Sequence, residues 1–169
     1  MKENTKKEIK FFISYARAND KLATSFRTKF ETLTKLSKRY QYSLWSDKSI
    51  LPGEKWEEEI QKALEECELG LLLTSSEFLA SDYIKEKELS KFVGKDAKPV
   101  IPVMLLKVDI ENLDLKGLEG NQFFMLSRPK FDEPKAYSQC NANQRLEFVG
   151  ALFKKVESRL AKLFSGDTG

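Results

Sequence analysis

Five consecutive residues, Leu69-Gly70-Leu71-Leu72-Leu73, present nothing that water would solvate. A run this short reads as a strand, and a strand apolar on both faces must be covered on both. The flanking chain offers the covers. Ile9 to Ser14 and Tyr40 to Trp45 are rich in β-forming residues and predict two further strands. Between them Leu22, Ala23, Phe26, Phe30, Leu33 and Leu36 recur at helical spacing, with Asn19 or Asp20 as a cap. A second helix is expected from about Glu54 to Glu68, with Trp56, Ile60, Ala63, Leu64 and Cys67 on its core face. After the central run come a helix over Glu77 to Phe92 and a strand over Val100 to Leu106, where Pro102 predicts a bulge or an edge. Val108 to Gly120 reads as irregular, Gln122 to Leu126 as a fifth strand, and Arg128 to Ala142 as a surface loop. Gln144 to Phe164 closes the chain as a long helix with Leu146, Val149, Phe153, Val156, Leu160 and Leu163 on one face. Strands alternating with helices predict an α/β fold, a doubly wound parallel five-stranded sheet with helices on both faces. Residues 1–6 and 165–169 read as flexible ends, the second a linker to a further domain.

Composition narrows the function. The chain has 169 residues, 41% hydrophobic and 33% charged, which suits one globular domain with a proper core. The net charge of +3 comes from interleaved signs, so no basic stripe argues for nucleic acid. No apolar run approaches the ~18 residues of a membrane span, and Met1 to Lys10 lacks the apolar region of a signal peptide. A cytoplasmic location is expected. The chain has no His, which removes Ser-His-Asp and Cys-His catalysis and His-ligated metals, and no metal is expected. Cys67 and Cys140 form no Cys-x-x-Cys pair, and Cys67 reads as a buried inert thiol.

In such a sheet the site lies beyond the carboxyl ends of the strands. That selects Ser14 to Arg17, Trp45 to Lys48, Thr74 to Ser76 and the start of the helix that follows. Ser14 and Ser76 read as satisfying strand-end and cap hydrogen bonds. On the following helix Ile84, Glu88 and Phe92 fall four apart and share a face. Glu86 lies about 200° round from Ile84, at roughly 100° per residue, and reads as solvated. Glu88 is either a stripe-edge residue with its head in water or a working carboxylate in a cleft.

The strand-end segments occur in a telling order: Phe11-Phe12-Ile13-Ser14-Tyr15, Asp47, Leu51-Pro52-Gly53-Glu54, Phe78-Leu79-Ala80-Ser81 through Glu88-Leu89, then Lys98-Pro99-Val100-Ile101-Pro102-Val103. Together they resemble a Toll/interleukin-1 receptor (TIR) domain in its bacterial form, over roughly Lys7 to Phe164. The resemblance implies a flavodoxin-like sheet. It implies that Ser46 to Trp56 is the loop through which such domains meet, with Lys48, Ile50, Leu51, Pro52, Gly53 and Glu54 as contact residues. It also implies, for the NAD-cleaving branch, a catalytic Glu on the helix after the third strand, matched here by Glu88. In many animal and plant members an aromatic precedes that Glu by four residues; here Tyr83 precedes Glu88 by five.

The chemistry suits a chain without His. The nicotinamide of NAD+ is already cationic and leaves as a neutral ring, so no general acid is required, unlike in most glycoside hydrolysis. One desolvated carboxylate can stabilise the oxocarbenium ion left on the ribose. NAD+ is then the substrate, and no cofactor is expected. Tyr15 and Trp45 either stack on nicotinamide or adenine or roof the core. Arg17 either faces the pyrophosphate or is a surface charge. Asp47 either binds a hydroxyl or belongs to an Asx-turn. The expected partners are NAD+, further copies in head-to-tail contact and a fused or separate sensor domain, in a bacterial immune or antiphage system. The competing reading is a non-enzymatic interaction module, an adaptor or a mimic of host signalling. A phospho-receiver on the same fold fails, because Thr74-Ser75-Ser76 stands where it needs an Asp and Ser14-Tyr15 where it needs an acidic pair.

Overall fold

The computed structural model describes residues 6–46 and 55–165. Four parallel strands form its sheet: β1 (Lys7–Tyr15), β2 (Tyr40–Trp45), β3 (Leu69–Thr74) and β4 (Val100–Met104), in the order β2-β1-β3-β4. Every residue of β3 is buried, as its composition demands. Helices α1 (Asp20–Thr34) and α4 (Ala142–Leu163) cover the face carrying Phe11, Ile13, Leu71 and Leu73. Helices α2 (Trp56–Glu66) and α3 (Ser76–Ala80), with the turns after α3, cover the face carrying Phe12 and Leu72.

The expected fifth strand shrinks to a single bridge among the described residues. Phe124 N donates to Pro102 O at 2.8 Å and Met104 N donates to Phe124 O at 3.0 Å. A parallel ladder would continue with an N–H of residue 102 donating towards Gln122, and Pro102 has none. The pairing stops there, with Pro102 on the edge strand, and Leu126 turns to bridge Lys135 instead.

The expected helix over Glu77 to Phe92 is also three pieces rather than one. Ser81 is extended (φ −75°, ψ 115°) and ends α3, and its Oγ accepts from Ile84 N at 3.2 Å. A π-helical turn follows over Ile84–Glu88, with Leu89 N donating to Ile84 O, then a 3-10 turn over Leu89–Lys91. Phe92 is anchored by packing: it is buried, and its ring lies over Gly70 in β3. An extended break on one side and a fixed ring on the other leave a length of chain that a regular α-helix does not fit.

Helix α4 buries Phe148, Val149, Leu152, Val156 and Leu160. Leu146 and Leu163, expected on its core face, are exposed. The 128–142 segment is not purely surface: Ala136 and Tyr137 are fully buried, and the Tyr137 hydroxyl lies 2.8 Å from Ser25 Oγ. Glu157 on α4 accepts from the hydroxyls of Tyr42 and Ser37, which ties the helix to the β2 edge. Burial first, then the Glu157 carboxylate, push the Tyr42 phenol upward. The Cys67 thiol is buried and pushed up to about 11, chiefly by desolvation, as expected of an inert thiol.

Candidate functional site

A cleft of about 620 Å³ opens at the carboxyl ends of the strands. Its first wall is the end of β1 and the turn after it, Tyr15 to Ala18. Its second is the break after α3 and the π turn, with Ser81, Tyr83, Ile84 and Glu88. Trp56, the first residue of α2, closes a third side, and Glu77 of α3 lies at the rim.

The two strand-end walls are joined underneath. Ser75 caps α3, its Oγ accepting from Phe78 N at 2.9 Å. The same hydroxyl donates to Asn19 Oδ1 at 2.6 Å. Asn19, expected as a cap of its own helix, makes no such cap bond. It reaches across from the β1 loop to the β3 loop, and both residues are buried. Ser75 rather than Ser76 is thus the cap, and Ser14 Oγ, expected to be bonded at the strand end, is buried without a partner among the described residues.

Glu88 is 5% exposed, on the same segment as the buried Ile84, Leu89 and Phe92, yet it still lines the cleft. Carboxylates are seldom buried in this way without a purpose. Glu86, two residues away, is exposed. The π turn explains the five-residue spacing from Tyr83 to Glu88. A turn closed by an i→i+5 bond holds one residue more than an α turn, so both side chains reach one cleft.

Above Glu88 stands an aromatic pair. The Trp56 and Tyr83 rings lie 4.9 Å apart between centroids at 32°. The Arg17 guanidinium stands 6.0 Å from the Trp56 centroid, at the reach of a cation–π contact. Tyr15 lines the cleft and donates from its hydroxyl to Asp20 Oδ1 at 3.1 Å. An ion pair of 3.4 Å between Lys87 and Glu57 links the π turn to α2 on the outside.

Glu88, Tyr15 and Arg17 thus meet in one place. Trp45 does not join them. It stands opposite Phe12 in the sheet register and stacks on that ring, 5.0 Å between centroids at 15°. β1 runs on for three residues past that point, roughly 10 Å of strand, so Trp45 sits below the cleft mouth and roofs the core. Asp47, Lys48, Ile50, Leu51, Pro52, Gly53 and Glu54 lie outside the described residues.

Glu77 falls at the helix start that the strand ends select, whereas Trp56, Tyr83 and Ser81 were missed as cleft residues. Trp56 was expected in the core of α2, but it is 39% exposed. Topology held the signal: a helix entered from a parallel strand begins at the site end of the sheet, and Trp56 is the first residue of such a helix.

No helix among the described residues is long and apolar enough to cross a membrane. Among curated proteins, none matches the chain. A family model described as TIR domain matches residues 11–140, from the middle of β1 to the turn before α4, and so spans all four strands and both walls of the cleft. On that match, and with a parallel α/β sheet in keeping with it, the chain belongs to the TIR domain family.

Proposed function

We propose that this TIR domain cleaves NAD+ between nicotinamide and ribose, with Glu88 stabilising the ribosyl cation as the bond breaks. The observation that carries the reading is a carboxylate only 5% exposed at the bottom of an aromatic-walled cleft. Low local dielectric strengthens its pull on a developing positive charge, and neutral nicotinamide departs without an acid. The Trp56–Tyr83 pair offers a face for a planar ring. Arg17 offers a guanidinium for the pyrophosphate at the same mouth. A pure interaction module has no use for a carboxylate buried under such a mouth.

The test is direct: concentrated protein is incubated with NAD+ and the products are separated by chromatography. Nicotinamide and linear or cyclic ADP-ribose are expected. Folded protein that yields no nicotinamide at any concentration leaves the adaptor reading in its place. In the same assay Arg17→Ala should raise the apparent KM about tenfold with kcat little changed, since phosphate is gripped in ground and transition states alike. Wild-type kinetics for that variant would reduce Arg17 to a surface charge.

Activity in this reading depends on self-association through residues 46–56, and Trp56 of the cleft is the last residue of that segment. A neighbouring copy there would exclude water from the open side of the cleft. Specific activity should therefore rise steeply with protein concentration. Leu51→Asp should suppress it, and mixing that variant with a Glu88 variant should restore part of it. Activity flat over two decades of concentration, with no complementation, would make the site self-contained. A protein of this kind fits an immune or antiphage effector that a sensor domain switches on by gathering copies.

A further inference from the structure

A second cavity, of about 420 Å³, opens at the other end of the sheet. It lies between the amino end of β4, residues 121–125 and the C-terminal half of α4. Helix α4 runs against the strands, because Phe164 just beyond its end meets Lys7 at the start of β1, 3.7 Å from ammonium to ring centroid. The two cavities are thus separated by the length of a strand, on the order of 15 Å, and share no lining residue.

The α4 wall of this cavity carries Lys155, Ser158, Arg159 and Lys162. The three cations fall at i, i+4 and i+7, on one face, spanning about 10 Å along the helix. Like charges at these spacings repel, so the helix keeps them together at a cost. No ion pair engages any of them among the described residues. Among the described residues no acidic side chain lines the cavity. The nearest acid on the helix, Glu157, is held on the other flank by Tyr42 and Ser37. The apolar lining on the face that α4 covers is Ile101 and Phe124, and the amides of Asn121 and Gln122 also line the cavity.

A ligand matching both walls carries dense negative charge at one end and a flat, weakly polar group at the other. The volume lies in the range of small-molecule sites. An extended acidic peptide matches less well. It would add to the β4 edge, where Phe124 already occupies the groups of Pro102 and Met104 and Pro102 has no N–H to offer. We propose that this cavity binds a nucleoside diphosphate, with Lys155, Arg159 and Lys162 on the phosphates and the base against Phe124 with its edge to Asn121 and Gln122. The site is independent of the Glu88 cleft and of whether NAD+ is cleaved there.

The test is a titration of the isotope-labelled chain with ADP, pyrophosphate and adenosine, followed by two-dimensional amide NMR. ADP should shift the amides of residues 121–125 and 155–162, with an affinity that falls as salt rises. Lys155→Gln and Lys162→Gln, both at exposed positions, should each weaken that binding severalfold, and Arg159→Ala about tenfold. Arg17→Ala should leave these shifts unchanged. Pyrophosphate and adenosine should each bind more weakly than ADP. The proposal is overturned if ADP shifts only cleft residues, or if the Lys155 and Lys162 variants bind as wild type. Pyrophosphate binding as tightly as ADP would make it a bare anion site, and an acidic peptide displacing ADP at lower concentration would make it a peptide surface; either overturns it.

Discussion

Glu88→Gln should reduce NAD+ cleavage by on the order of a hundredfold or more, the usual cost of removing a preorganised electrostatic stabiliser, while the fold holds. The side chain is 5% exposed and lines the cleft beside Ile84. Glutamine fills that volume almost atom for atom, so no cavity opens. The melting temperature, measured beside activity, should stay close to that of the wild type. A carboxylate kept for structure would behave in the opposite way, with activity following stability downward. Glu86→Gln is the control: Glu86 is exposed on the other side of the π turn, and its loss should be nearly silent. An inactive Glu86→Gln beside an active Glu88→Gln would mean that the π turn presents the wrong side chain.

The second large effect is expected far from any substrate. A Cβ added at Gly70 would meet three ring atoms of Phe92, all within 2.8 Å. The ring has no free direction in which to yield. Phe12 lies on one side at 6.2 Å between centroids, itself stacked on Trp45, and Phe92 is 2% exposed. Overpacking of this kind costs about 1–3 kcal/mol, so Gly70→Ala should lower the melting temperature by roughly 5–10 °C. Because Phe92 anchors the far end of the segment that carries Glu88, cleavage should fall with it. Pairing Gly70→Ala with Phe92→Leu should recover part of the stability, since the smaller side chain makes room. A Gly70→Ala protein that melts and cleaves like wild type would show that the ring is not the anchor.

Much of the sheet is legible in the chain, and for a physical reason. Leu69 to Leu73 cannot tolerate water on either face, so its place in the middle follows from composition alone. Glu88 was legible too, as one carboxylate in an apolar stripe. What periodicity does not reveal is register and breaks. Nothing in Tyr40–Trp45 says that it pairs with the first six residues of β1 rather than the last six, and that offset decides that Trp45 roofs the core. Nothing in the helical pattern of residues 77–92 announces an extended Ser81 or a π turn, because both come from where Phe92 must sit. Leu146 and Leu163 fit the stripe of α4, yet that helix packs on α1 and the sheet together, and its buried face turns towards Phe148 and Leu152 instead.

The missing donor of Pro102 has a consequence for how such molecules can gather. A TIR domain that gathers copies of itself, as proposed above, lives close to a hazard. An open strand edge at high local concentration can recruit the edge of its neighbour, and growth by main-chain hydrogen bonds is hard to reverse. On the β4 side that route is shut. One rung lacks its proton, and the carbonyl of Pro102 and the amide of Met104 are already taken by Phe124. Contacts made on this flank must therefore run through side chains, whose bonds are individually weak and readily reversed.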